Sequence, residues 1–156
     1  MKVDFLVKTM TDTHFSPVDP NFHRLRVLLV DDKPQVLHDL RQLLELTGLF
    51  DILAEARDGA QALDLAAELA PDAILMDLEM PGMDGYEATR RIKARQPAPR
   101  VVILSVHASP VERERALSAG ADCFVMKGAN YEELVNALLG RIDSPGTFNS
   151  KKGNNT

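Results

Sequence analysis

The sequence predicts a doubly wound α/β domain, a five-stranded parallel sheet with helices on both faces. Three observations lead there. Short apolar runs at residues 27–30, 52–56, 73–76, 101–104 and 123–126 alternate with amphipathic stretches of helical period. The links between them are short and carry cap and turn residues. Four of the runs end on polar residues able to do chemistry: Asp31 and Asp32, Asp77, Ser105, and Lys127.

The elements follow in order. Residues 1–24 mix Thr, Asp, Ser and Pro without period, and read as a mobile leader whose Phe5, Leu6, Phe15 and Phe22 are able to dock on the surface. Val27, Leu28, Leu29 and Val30 make the first strand, closed by Asp31 and Asp32. Pro34 suits a first helical turn, and Val36, Leu37, Leu40, Leu43 and Leu44 share one helix face up to Gly48. After the second strand, Asp58 and Gln61 read as a capping box for a helix that turns Leu63, Ala66, Ala67 and Leu69 inward. The third strand runs to Asp77, Met80-Pro81-Gly82 turns the chain, and Asp84 with Glu87 starts the next helix. That helix carries Tyr86, Ile92 and a solvated Arg90, Arg91 and Lys93 face.

The fourth strand ends on Ser105. Ser109, Pro110 and Glu112 start a helix that Gly120 stops, and the fifth strand ends on Lys127. Asn130 and Glu133 cap the last helix, with Leu134, Val135, Leu138 and Leu139 inward. The folded domain is thus expected over residues 25–142, followed by a disordered polar tail over 143–156.

A chain of 156 residues with 45% hydrophobic and 26% charged residues fits one globular domain. Its formal net charge of -5 argues against direct nucleic-acid binding. The lone Cys123 excludes an internal disulfide and points to a reducing compartment. No apolar stretch approaches the ~20 residues that span a bilayer, so a cytoplasmic location without a membrane partner is expected. The four histidines, His14, His23, His38 and His107, lack zinc-ligand spacing.

Right-handed crossovers leave few strand orders, and 2-1-3-4-5 is one that doubly wound sheets adopt. In that order strands one and three are neighbours, and Asp31, Asp32 and Asp77 converge in one crevice. Three carboxylates so placed repel one another unless a cation joins them, and Mg2+, a hard ion that shares its shell with phosphates, suits the set. Ser105 and Lys127 add a hydroxyl and an ammonium to the rim. This arrangement suits stabilisation of a transferring phosphoryl group, with Asp77 as nucleophile. Taken singly, Asp31 and Asp32 also read as helix caps, Asp77 as a turn carboxylate and Phe124 as core.

Over residues 26–141 the chain resembles the receiver domain of a two-component response regulator. The likeness rests on Val-Asp31-Asp32, Met-Asp77-Leu-Glu-Met-Pro81-Gly-Met-Asp-Gly85, Leu-Ser105 and Phe124-Val-Met-Lys127. In phrasing it is closest to receivers of the NarL/FixJ/LuxR type of DNA-binding regulator. The resemblance implies a flavodoxin-like fold, with Asp77 as phosphoacceptor and Asp31 and Asp32 as the Mg2+-binding pair. Glu79 would lend the ion its backbone carbonyl. It implies further that Ser105 and Phe124 form the switch, that Lys127 pairs with the phosphoryl group, and that Glu79, Val106 and His107 modulate its chemistry. The implied donor is a sensor histidine kinase or phosphotransfer protein. The implied readout is the surface of the fourth helix, fifth strand and fifth helix, with a homodimer on phosphorylation open.

Two positions depart from the family pattern. Gly128 stands where many receivers have proline, so the cis peptide usual there is not expected and the loop gains freedom. Val106 stands where a small residue is common and would narrow phosphoryl entry.

Three functions stay open at this point: a phosphorylation-dependent switch that catalyses only its own phosphorylation and slow dephosphorylation, an aspartyl-phosphate phosphohydrolase, and a protein-binding module without phosphorylation. The switch fits the full residue set best. The residues after the last helix are too few and too polar for a helix-turn-helix, so a stand-alone receiver and a receiver excised from a transcriptional regulator both fit.

Overall fold

A computed structural model describes residues 22–142. The expected leader, apart from residues 22–24, and the expected tail over 143–156 lie outside the described residues. The order is β1 (Leu25–Val30), α1 (Pro34–Leu46), β2 (Phe50–Ala56), α2 (Gly59–Leu69), β3 (Ala73–Asp77), α3 (Gly85–Lys93), β4 (Arg100–Ser105), α4 (Pro110–Ser118), β5 (Cys123–Met126) and α5 (Tyr131–Leu138). The strands form one parallel sheet in the order β2-β1-β3-β4-β5, the flavodoxin-like arrangement.

The continuous apolar runs are explained by their two faces, since alternate residues of each strand enter different cores. Val27, Leu29, Leu75, Val102, Leu104 and Val125 meet Leu37 and Leu44 of α1 and Leu134, Val135 and Leu138 of α5. Leu28, Val30, Ile74, Met76, Ile103 and Phe124 meet Ala62 and Leu63 of α2, Ala88 and Ile92 of α3 and Ala116 of α4. β3 is buried along its whole length, which makes it the axis of the sheet.

The helix starts refine the sequence reading. Ser109 and Glu112 form a complete capping box. Asp58, Asp84 and Asn130 each accept one backbone N–H three residues on, at 2.8, 2.9 and 2.8 Å. Gln61, however, reaches past Asp58 to the N–H of Arg57, so the box expected there is not closed. Glu87 instead pairs with Arg90 and Arg91. Ala67 faces outward, because the inward stripe of α2 is set by Ala62, Leu63, Leu65 and Ala66. Lys93 leaves the basic face of α3 to bind Asp122 at 2.8 Å and the carbonyl of Pro99 at 3.0 Å. Among the described residues, no helix is long and apolar enough to cross a membrane.

Candidate functional site

Register brings the polar strand ends together. Val30 pairs with Met76, so Asp31 leaves β1 beside the end of β3. Asp77 pairs with Leu104 and Ser105 with Met126, which sets Ser105 and Lys127 one step further along their strands. The backbone N–H of Lys127 donates to the carbonyl of Ser105 at 2.7 Å.

Asp31, Asp77 and Ser105 are all buried, at 1%, 4% and 2% exposure, which is unusual for such groups outside a site. Ligand atoms of Asp31, Asp32 and Asp77 lie within 4.8 Å of one another. Among the described residues one ammonium reaches two of these three carboxylates: Lys127 Nζ donates to Asp31 Oδ2 at 2.8 Å and to Asp77 Oδ1 at 3.2 Å. Asp32 Oδ1 and Asp77 Oδ2 are buried without a hydrogen-bond partner. Burial, then the charge of Asp31, pushes the Asp77 carboxyl above the usual carboxylate range against the pull of Lys127. Burial alone would lower the Lys127 ammonium, but its bond to Asp31 and the charge of Asp77 outweigh this and hold it above the ordinary lysine value. The orphaned Asp32 Oδ1 and the surplus of negative charge are what an oxygen-liganded divalent cation would satisfy.

The helix-cap reading of Asp31 and Asp32 gives way here. The N-cap of α1 is Lys33, without a side-chain cap bond, while Asp31 Oδ1 accepts the N–H of Lys33 at 2.9 Å. Asp31 thus braces the loop and holds Lys127 with its other oxygen.

Around this core, Ser105 Oγ accepts the N–H of His107 at 3.3 Å. Glu79 and His107 are exposed and meet at 3.5 Å. Val106 is also exposed. Phe124 is buried, with the guanidinium of Arg113 4.9 Å from its ring centre. Arg113 was not singled out by sequence, since a charged residue on a polar helix carries no signal of what it stacks on.

Two glycines shape the surroundings. Gly85 packs so close to β3 that a Cβ there would collide with the carbonyl of Asp77 and lie 2.8 Å from Leu78 Cα. Gly128, at φ +95°, takes the third place of a turn closed by Ala129 N–H to Met126 O at 3.0 Å. Its peptide with Lys127 is trans; among the described residues the cis peptide is Gln96-Pro97.

Comparison with known proteins agrees with the geometry. The family model for the response regulator receiver domain matches residues 27–139. The nitrate/nitrite response regulator protein NarL of Escherichia coli K12 is 36% identical over 112 residues, which are 72% of this chain and 52% of that protein. The chain therefore spans about half the length of the curated relatives it matches. A LuxR-family two-component response regulator from Aurantimonas sp. SI85-9A1 superposes with a TM-score of 0.72 at 37% identity, covering 76% of this chain and 85% of that one. A LuxR-family DNA-binding response regulator from Staphylococcus aureus gives 0.70 at 30%, covering 74% and 97%. The sheet order, the acidic strand ends and these likenesses coincide on one assignment: the chain belongs to the response regulator receiver domains of two-component systems, in their NarL/LuxR-type branch.

Proposed function

We propose that this domain is a phosphorylation-dependent signalling switch that takes a phosphoryl group onto Asp77. The unpartnered, buried Oδ2 of Asp77 carries this reading. It is a carboxylate oxygen held in place, free of hydrogen bonds and one atom away from an oxygen already bound by Lys127. Asp77 Oδ2 attacks phosphorus, and the phosphorus–nitrogen bond to a histidine of a sensor kinase or phosphotransfer protein breaks. Lys127 neutralises charge on the phosphoryl oxygens, and the Ser105 hydroxyl donates to one of them.

Asp31, Asp32 and Asp77, with the backbone carbonyl of Glu79, would hold Mg2+. The bound ion supplies charge neutralisation and orientation at the acceptor. The chain acts on its own acceptor alone and has no turnover substrate.

The readout is the face of α4, β5 and α5. Val111 of α4 and Met126 of β5 support this reading, since these large apolar side chains are 73% and 44% exposed. Because the chain matches the receiver part of proteins about twice its span, we propose that its signal reaches a DNA-binding output segment. Nucleic-acid contact would belong to that segment. Two copies pairing through the same face on phosphorylation fits the exposed apolar groups.

The test is intact-protein mass after incubation with Mg2+ and acetyl phosphate. One phosphoryl adduct is expected, absent in Asp77→Asn and absent when EDTA replaces Mg2+. An adduct that persists in Asp77→Asn would sink the assignment of the acceptor.

A further inference from the structure

Helix α4 is the least anchored of the five helices. Its sole buried residue is Ala116, whereas α3 and α5 each bury four. Val111 points to solvent at 73% exposure. So little buried apolar surface cannot by itself fix the position of a nine-residue helix.

Two arginines of α4 supply other attachments, and each ends on an aromatic ring. Arg115 stands 4.1 Å from the ring centre of Tyr86 on α3. Arg113 stands 4.9 Å from that of Phe124 on β5, and its Nε also donates to the carbonyl of Ala108 at 3.2 Å. Ala108 lies in the loop that begins at Ser105, and that loop is fixed at its near end by the His107 N–H bond to Ser105 Oγ. One side chain therefore touches the loop from the acceptor pocket, the buried ring and, through its own backbone, the weakly held helix.

We infer that Arg113 is a positioning residue, a clasp that ties the position of Ser105 to that of Phe124 and α4. This rests on the reading of Asp77 as phosphoacceptor and Ser105 as its hydroxyl partner. When Ser105 turns its Oγ toward a phosphoryl group, it releases the His107 N–H. The loop then shifts, and the Ala108 carbonyl moves off Arg113. With that bond gone, only the ring contact holds the guanidinium, and α4 loosens. Arg115 fastens the far side of the helix and is outside this path.

Hydrogen exchange followed by mass spectrometry on the whole chain tests the clasp, using R113A, R115A, F124L and R113A/F124L. R113A is expected to speed exchange in residues 110–118 by about five- to twenty-fold without affecting β3. F124L is expected to do likewise, and R113A added to F124L to bring less than about a two-fold further change, because either substitution alone opens the same clasp. Loading with acetyl phosphate and Mg2+ should speed exchange in α4 of the unaltered chain and of R115A. In R113A it should add nothing, since the clasp is already open; a merely structural role for Arg113 would leave that response intact. Unchanged α4 exchange in R113A, additive effects in the double variant, or a full response of R113A to loading would each overturn the clasp. If the unaltered chain takes no phosphoryl group while R113A and F124L still act through one another, the functional reading falls and the clasp between arginine and ring stands.

Discussion

Lys127 Nζ lies 3.2 Å from Asp77 Oδ1, while the other oxygen of that carboxylate is buried without a partner. The same ammonium holds Asp31 at 2.8 Å. Removing it leaves these three close carboxylates without a cationic partner among the described residues. Lys127→Ala is therefore expected to cost about 3 kcal/mol of stability in EDTA, the range for breaking a buried pair from one side. Mg2+ should restore much of this, because it meets the same excess charge. Phosphoryl loading should still fall by about a hundred-fold or more, since a divalent ion does not replace a donor aimed at the transferring group. Urea melts with and without Mg2+, beside an adduct time course, check both parts. Equal destabilisation with and without the ion would show that the carboxylates do not share it.

The orphaned Asp32 Oδ1 gives a second expectation. On the proposed reading, Mg2+ would bind the folded chain through oxygens that the unfolded chain does not gather. At a hundred times its dissociation constant it should add about 2.7 kcal/mol. Asp32→Asn should lose most of that gain, and its stability in EDTA should not fall, because one repelling charge is gone. Thermal melts across a Mg2+ titration read this directly. A gain in Asp32→Asn as large as in the unaltered chain would place the ion elsewhere.

Much of this site was legible because strand ends are legible. An apolar run that stops at Asp77 or Ser105 states where the sheet ends, and right-handed crossovers then restrict which ends meet. The bond from Lys127 to Asp31 was not legible, as it spans 96 positions and depends on side-chain reach. The stacking of Arg113 on Phe124 was hidden for a different reason: the helix pattern marks Arg113 as polar and says nothing of the ring beneath it. Ala67 was misplaced because an alanine fits either side of a helix, so its neighbours decide which way it faces. Lys93 was misread as solvated because the carboxylate that draws it in, Asp122, is distant in sequence.

Gly85→Ala tests how closely α3 is seated against the acceptor strand. The added Cβ would strike the Asp77 carbonyl and the Leu78 backbone, neither of which can swing aside as a side-chain tip does. A loss of about 3 kcal/mol or more is expected, at the upper end of overpacking costs. Phosphoryl loading should fall as well, because relief of the clash requires Asp77 to move. A stable variant with normal loading would show that α3 has room to withdraw.

Tyr131 links α5 to α1 through its hydroxyl, which donates to the Leu43 carbonyl at 2.8 Å. Burial pushes that hydroxyl up to about 12. The unfolded chain releases this proton near pH 10 and the folded chain only about two pH units higher. The contribution is thus fully present below pH 10 and is lost as pH rises toward 12. Tyr131→Phe should cost about 1 kcal/mol at pH 7, the net value of a hydrogen bond. Its stability should also fall less steeply than that of the unaltered chain between pH 10 and 12. Parallel curves for the two proteins in that window would remove Tyr131 from the alkaline transition.

Glu79 and His107 tie the two loops that leave Asp77 and Ser105, meeting at 3.5 Å with both side chains about 60% exposed. Their exposure makes the contact weak as a source of stability, so Glu79→Ala and His107→Ala should each change it by no more than about 0.5 kcal/mol. On the proposed chemistry they would act on a phosphoryl group at Asp77, since the loops they join leave the ends of the Asp77 and Ser105 strands and would flank the approach of hydrolytic water. Each single substitution should shorten the aspartyl-phosphate lifetime by several-fold, well short of the ~10²-fold of a full general acid or base. If the pair acts by closing the approach, either loss opens it, and the double variant should be no shorter-lived than the worse single one. Loss of the adduct after removal of acetyl phosphate gives all three lifetimes. Unchanged lifetimes in folded variants would rule out the pair as a modulator, whereas multiplying effects would mean that each residue meets the phosphoryl group separately.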